Sequence, residues 1–98
     1  MKPKLNVEKL ERAASRLRSI AHPMRIAIID LLSVREKMNV TQLYESLGIE
    51  QAATSHHLNI LRTKGILESK RDGKMIFYSL KTTALIDIID CINRCDEA

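Results

Sequence analysis

The hydrophobic pattern of the chain changes its period at Gly65. From Gln51 up to that residue, apolar residues recur at the three- and four-residue spacing of an amphipathic helix. After it, two alternating runs, 66–71 and 74–80, flank the dipeptide Asp72-Gly73. Asp-Gly between two β-prone runs is a strong signal for a β-hairpin, because tight turns that match strand twist need a positive φ. The sequence therefore predicts a helix that leads directly into a hairpin, or wing, over residues 66–80.

The predicted helix from Gln51 to Lys64 has two chemically different faces. The face expected to be buried carries Thr54, His57, Leu58 and Leu61. The opposite face has small or hydrogen-bonding side chains and no acidic residue: Ala52, Ser55, His56, Asn59 and Thr63. Base edges in the DNA major groove offer donors, acceptors and methyl groups, so this face suits a helix that enters that groove. We interpret His57, on the core side, as a structural histidine, and a ligand role is the alternative.

A short helix and a glycine turn precede this helix. Thr41 is predicted as the N-cap of a helix that ends near Ser46, and Gly48 stands where a helix C-terminus commonly needs a positive φ. Val40 is expected in a short edge strand, and Ile49 fills the corner between the two helices. Two helices joined in this way form a helix-turn-helix, predicted here over residues 41–64.

Amphipathic helices are predicted at both ends of the chain. The first runs from Val7 to near Ile20 within the terminal segment 1–20, and the last covers residues 82–96. A second helix, from Pro23 to about Val34, is apolar enough to form the core. The terminal helices carry narrow apolar stripes: Leu10, Ala13, Ala14 and Leu17 in the first, and Leu85, Ile88, Ile89 and Ile92 in the last. We predict one domain over residues 1–98, a mainly α winged helix-turn-helix with a β-hairpin wing, whose terminal helices form a dimer interface.

Charge is distributed unevenly along the 98 residues, whose formal net charge is +4. Between Gln51 and Lys81 six basic residues stand against two acidic ones, whereas from Thr82 onward one basic residue stands against four acidic ones. The middle of the chain is therefore expected to attract polyanions, and ordinary solubilising charges are the alternative reading. No apolar run is long enough to span a membrane, and residues 1–18 lack the apolar core of a signal peptide, so a cytoplasmic protein without membrane contact is expected.

Three segments together resemble the ArsR type of winged-helix transcriptional repressor. They are Ala21–Leu32 with its His-Pro-Met-Arg sequence, Gln51–Leu61 with Ser-His-His-Leu, and Arg71–Tyr78 around the Asp-Gly pair. The resemblance covers nearly all of residues 17–80. It implies a homodimer that joins through its first and last helices, binds an inverted-repeat operator in double-stranded DNA, and releases the DNA when a metal or another signal arrives.

The resemblance also implies roles for individual residues. The DNA-binding residues that it implies are Thr41, Gln51, Ser55, His56, Arg71 and Lys74. Gln51, Ser55 and His56 of the long helix would face base edges or phosphates. Thr41 would hold the DNA backbone, and the wing residues Arg71 and Lys74 would lie over a flanking groove. Helical spacing independently supports Ser55 and His56 and adds Asn59 to the same face. Glu50 departs from the family, in which serine is frequent at that position, and it is the weaker N-cap.

Neither of the familiar metal sites of such proteins is present in the sequence. Residues 41–46 contain no thiol, and the last helix has Asp87 and Asp90 without a histidine partner, whereas zinc, cobalt and nickel favour nitrogen or sulfur ligands. No metal or other cofactor is therefore predicted, and no inducer is assigned. Cys91 and Cys95 lie one helical turn apart and form a possible thiol sensor if two last helices pair; the alternative is that they complete the apolar dimer seam.

No enzymatic activity is predicted. The sequence has no glycine-rich phosphate loop, no nucleophile elbow and no His-x-x-x-His pair, and the adjacent His56 and His57 point to different faces of their helix. A winged helix that binds proteins without binding DNA is the alternative function. It predicts no salt-dependent retention on duplex DNA, whereas a repressor predicts an affinity that falls steeply with salt.

Overall fold

Helices at both ends enclose a helix-turn-helix and a small sheet in the computed structural model, which describes residues 4–97. Within that range the elements are α1 (Val7–Ile20), α2 (Pro23–Arg35), β1 (Lys37–Asn39), α3 (Val40–Leu47), α4 (Gln51–Thr63), β2 (Leu67–Asp72), β3 (Met75–Leu80) and α5 (Ala84–Glu97). The strands form an antiparallel sheet in the order β1-β3-β2. The predicted winged helix-turn-helix is confirmed, and each helix begins and ends within two residues of its predicted bounds.

The core is built around α2. Its residues Ile28, Ile29 and Leu32 are at most 2% exposed. The buried residues that cluster with them come from α1, β1, α3, α4 and the segment that enters β2: Ile20, Met38, Leu43, Leu58, Leu61, Ile66 and Leu67. Partly buried residues of β3 and α5 pack against this cluster. Complete burial of an aliphatic side chain of this size stabilises the fold by about 1.5–3 kcal/mol, so these contacts fix α3 and α4 against α2. The opposite face of α4 is left on the surface.

The predicted cap of the short helix is wrong by two residues. Asn39, not Thr41, is the N-cap of α3: its Oδ1 accepts from the Gln42 backbone N–H at 2.8 Å, and the Gln42 Oε1 accepts from the Asn39 N–H at 2.9 Å. This reciprocal pair satisfies two N–H groups at once, which a lone threonine cannot do. Thr41 therefore lies inside the first turn and is exposed, and the short strand ends before Val40. Gly48 ends α3 in the left-handed region, with φ +68°, as predicted.

The turn of the wing also differs from the prediction by one residue. The strands pair Asp72 with Met75, so the two turn residues are Gly73 and Lys74 rather than Asp72 and Gly73. Gly73 has φ +62° and Lys74 does not have a positive φ. A turn with glycine at its first central position needs a positive φ only there, whereas the alternative Asp-Gly turn needs it at both residues. Lys74 consequently stands at the tip, and Arg71 lies in β2 opposite Ile76.

Apolar side chains remain exposed on the two terminal helices. Leu10 and Leu17 of α1 are 50% and 57% exposed, and Ile92 of α5 is 42% exposed. A cleft of about 270 Å³ separates α1 from α5 and has mainly apolar walls, including Leu17, Leu85 and Ile88. A second protomer would remove these surfaces from water. No helix in residues 4–97 has both the length and the apolar character needed to traverse a membrane.

Candidate nucleic-acid interface

The helix α4 presents the two faces that its spacing predicts. Thr54, His57, Leu58 and Leu61 are buried. The predicted DNA-binding residues are all exposed: Thr41, Gln51, Ser55, His56, Asn59, Arg71 and Lys74. The inward residues belong to the core or contact it, so α4 has one orientation on the body of the protein. The polar face of α4 therefore points outward because the opposite face is packed against the core.

One cleft brings three of these residues together. A cavity of about 230 Å³ lies between the start of α3, the outward side of α4 and the tip of the wing. Thr41, Ser55 and Lys74 line it, together with Asn39, Val40, Met75, Ile76 and Tyr78. No acidic residue lines it. The other four predicted residues, Gln51, His56, Asn59 and Arg71, lie outside this cleft.

Arg62 is part of the outward face of α4 and was missed as a site residue from sequence. Its Nη2 donates to Asn59 Oδ1 at 3.0 Å, one turn along the helix. The bond directs the guanidinium along the polar face and occupies the amide oxygen of Asn59. The sequence does contain a signal for this residue: Asn59 and Arg62 are three positions apart, and side chains at that spacing contact each other on one face of a helix. The face accordingly offers a positive charge as well as neutral hydrogen-bonding groups.

A hydrogen bond between half-buried Arg25 and buried His57 fixes the inner side of α4. Arg25 of α2 donates from Nε to His57 Nδ1 at 3.1 Å and from Nη1 to the carbonyl of Ser19 at 3.0 Å. The His22 ring lies 4.6 Å from the His57 ring. Burial lowers the pKa of His57, and the nearby His22, Arg25 and His56 lower it further. His57 is therefore neutral at pH 7 with its proton on Nε2, and it serves as a structural histidine, as its position on the core face predicts.

This pair makes stability depend on pH with a definite sign. The pKa of His57 is lowered in the fold, so below about pH 6.5 the unfolded chain takes up a proton that the folded chain refuses. We expect the free energy of unfolding to fall as pH drops from about 7.5 to about 5. In His57→Gln, which keeps an acceptor for Arg25 but does not titrate, that decline should be shallower in urea unfolding measured at each pH.

His56→Gln is the matched control, since His56 is exposed on the outer face of the same helix. It should retain most of the decline of the unaltered protein, since the charge of His56 is the smallest of the causes that lower the pKa of His57. Equal pH slopes in His57→Gln and in the unaltered protein would contradict the assignment of a buried neutral histidine.

The sequence of this chain matches a family of known proteins. A model of the arsR family of bacterial regulatory proteins matches residues 22–69. The transcriptional repressor PagR of Bacillus anthracis is 36% identical over 92% of this chain and 90% of its own length. The chain belongs to the arsR family. It is thus a transcriptional regulator with a winged helix-turn-helix.

Further relatives and solved structures agree with the arsR assignment. The HTH-type transcriptional regulator YgaV of Escherichia coli is 37% identical over 81% of this chain and 80% of its own. The crystal structure of PagR covers 89% of this chain and 99% of PagR, with a TM-score of 0.81 and 34% identity. That of NolR from Sinorhizobium fredii covers 97% of this chain and 96% of NolR, with a TM-score of 0.80 and 35% identity.

The two cysteines of this arsR-family regulator are neighbours on the surface of α5. Both side chains are exposed. A hydrogen bond that the Cys95 thiol donates to Cys91 raises the pKa of Cys95, and the negative charge of Cys91 and desolvation raise it further. A raised pKa keeps the Cys95 thiol protonated and slows its reaction with oxidants. The thiol-sensor hypothesis stays a prediction. Within residues 4–97, no three His, Cys, Asp or Glu side chains come together as a metal site.

Proposed function

We propose that the chain is a homodimeric repressor that binds an inverted-repeat operator in double-stranded DNA through α4 and the wing. The observation that carries the proposal is the outward face of α4, exposed and without an acidic side chain, beside a cleft that reaches the wing tip. The relatives support it, because PagR and SdpR are named transcriptional repressors. Gln51 and His56 would contact base edges, and Arg71 and Lys74 would contact the flanking backbone.

Charge supports the same assignment. The exposed basic residues of the helix-turn-helix and wing are Arg62, Lys64, Lys70, Arg71 and Lys74. The acidic residues of that segment are Glu45 and Glu50, which precede α4, and Glu68 and Asp72 in β2, whereas α5 carries Asp87, Asp90 and Asp96. A duplex, with one negative charge per roughly 1.7 Å of its axis, is attracted to the basic side and repelled by α5. α5 therefore stays away from the duplex and remains available to pair with a second protomer.

Pairing of α1 and α5 with their counterparts would give the protein two α4 helices related by a two-fold axis. Two such helices reach successive major grooves when they lie about one DNA turn, roughly 34 Å, apart. An occupied promoter then excludes RNA polymerase by steric overlap. Release requires a signal that favours a dimer geometry unsuited to DNA, since a ligand with equal affinity for both geometries shifts nothing. The place of action is the cytoplasm, and the proposed role includes no catalytic step.

The experiment is the affinity of the protein for duplex DNA as a function of salt. Between about 50 and 200 mM salt we expect a linear fall of log affinity against log salt, by roughly 10³-fold if the dimer makes about six phosphate contacts. A duplex selected from a random pool should bind more tightly than an unrelated duplex at every salt concentration. A winged helix that binds only proteins would not be retained on either duplex, even at the lowest salt.

A further inference from the structure

Tyr78 of β3 lines the cleft between α3, α4 and the wing, and sequence spacing did not identify it as a site residue. It pairs with Met38 in β1 and with Ser69 in β2, so its side chain lies on the same face of the sheet as the buried Met38. The residue is half-buried and packs against the core. Packing of the side chain against the core restricts where the phenolic hydroxyl can lie.

The Tyr78 hydroxyl has no partner in the described part of the chain. None of the side-chain hydrogen bonds among residues 4–97 includes it. In the same range no buried side-chain nitrogen or oxygen lacks a partner. The hydroxyl is therefore open to solvent although most of the ring is covered. A fixed phenol with an accessible, unused O–H is a preorganised hydrogen-bond donor.

Asn39, which also lines the cleft, is occupied by its bond to Gln42, but three other polar residues there have no partner within the part of the chain that the structure describes. The hydroxyls of Thr41 and Ser55 and the ammonium of Lys74 make no hydrogen bond with residues 4–97. Together with Tyr78 they supply three O–H donors and one positive charge, from α3, α4, the wing turn and β3. A phosphate diester has acceptor oxygens and one negative charge. Its chemistry matches the cleft, whereas that of a cation does not.

We infer that this cleft binds one phosphate of the operator backbone in each half-site, and that Tyr78 is a positioning residue that donates a hydrogen bond to it. The inference rests on the proposed function. The phosphate would sit between the base-reading face of α4 and the wing, and would set the register of both on the duplex. Ser55 would then contact the DNA backbone rather than a base. The residues of α4 that lie outside the cleft would contact the bases.

The test is Tyr78→Phe, which removes the hydroxyl and keeps the ring. Because hydrogen bonds to charged groups are the stronger kind, we expect binding to weaken by about tenfold for each lost contact, and so by roughly 100-fold for the dimer, on the selected operator and on an unrelated duplex alike. The slope of log affinity against log salt should not change, since a neutral donor displaces no counterion. Tyr44→Phe, the same change at a tyrosine outside the cleft, should leave affinity unaltered. Melting temperatures of both variants check that they fold.

A scan of the operator with single methylphosphonates, which remove one backbone charge at a time, locates the contact. We expect one phosphate per half-site at which the unaltered protein loses affinity and Tyr78→Phe loses much less, because its hydroxyl is already gone. Equal losses for both proteins at every phosphate, or an unchanged affinity of Tyr78→Phe, would overturn the inference. If the unaltered protein bound no duplex at low salt, the proposed function itself would fail instead.

Discussion

Leu58→Ala is expected to lower the free energy of unfolding by about 2–5 kcal/mol and to weaken operator binding with it. Leu58 is 1% exposed and belongs to the core cluster that holds α4 on α2. Its truncation removes buried methyl groups and leaves a cavity, since the neighbouring side chains collapse only in part. For a domain whose whole stability is about 5–15 kcal/mol, this is a large fraction. Urea unfolding gives the loss directly.

Val34→Ala supplies the matched control for this prediction. Val34 lies near the end of α2 and is 77% exposed, so its truncation should change the free energy of unfolding by no more than about 0.5 kcal/mol. DNA binding of Leu58→Ala should recover when a stabilising osmolyte restores the folded population, because the outward face of α4 is unaltered. A loss for Leu58→Ala no larger than that for Val34→Ala would contradict the packing of α4 described above.

The second large effect is expected for the double substitution of Gln51 and His56 by alanine. Both side chains are exposed on α4 and lie outside the cleft between α3, α4 and the wing, for which phosphate binding is proposed. Specific base contacts contribute about 1–3 kcal/mol of discrimination each, and the dimer would make every contact twice. Four contacts are lost in the dimer, so we expect affinity for the selected operator to fall by on the order of 10³-fold or more, with little change for an unrelated duplex. Competition binding at one fixed salt concentration measures the ratio.

Lys74→Ala is the contrasting variant for this experiment. Lys74 stands in the wing turn, where it would contact the backbone. Its loss should weaken binding to both duplexes and reduce the salt slope by about 2 for the dimer, roughly 0.9 for each lost phosphate contact. If the double variant and Lys74→Ala had the same effect on both duplexes, the division between base-reading and backbone-binding residues would be wrong.

Local patterns in the sequence predicted the elements well because helices and strands have fixed periods. The buried residues of α4 followed from three- and four-residue spacing alone. The cap of α3 was missed because Asn39 and Thr41 both suit an N-cap, and the deciding signal was Gln42, three residues after Asn39, which completes a capping box. In the wing, Gly73 satisfies either turn register, and strand pairing decides which residues form the turn.

Contacts between distant segments could not be predicted in this way. Arg25 and His57 are 32 positions apart, and their bond depends on how α2 crosses α4. The place of Tyr78 in the cleft depends on its register with β1 as well as with β2, and β1 is only three residues long. Spacing can assign a residue to a face, but which faces meet is determined by packing. The polar outward face of α4 was therefore accessible from the sequence, while the cleft beside it was not.

The central claim is that the outward face of α4 reads base edges in the major groove. It is tested most directly by replacing guanine and adenine of the selected operator, one position at a time, with 7-deaza analogues that lack the major-groove N7 acceptor. We predict that the unaltered protein loses affinity at particular positions, repeated symmetrically in the two half-sites, and that the variant lacking Gln51 and His56 side chains is insensitive at those positions. Full affinity for every 7-deaza duplex would contradict the account.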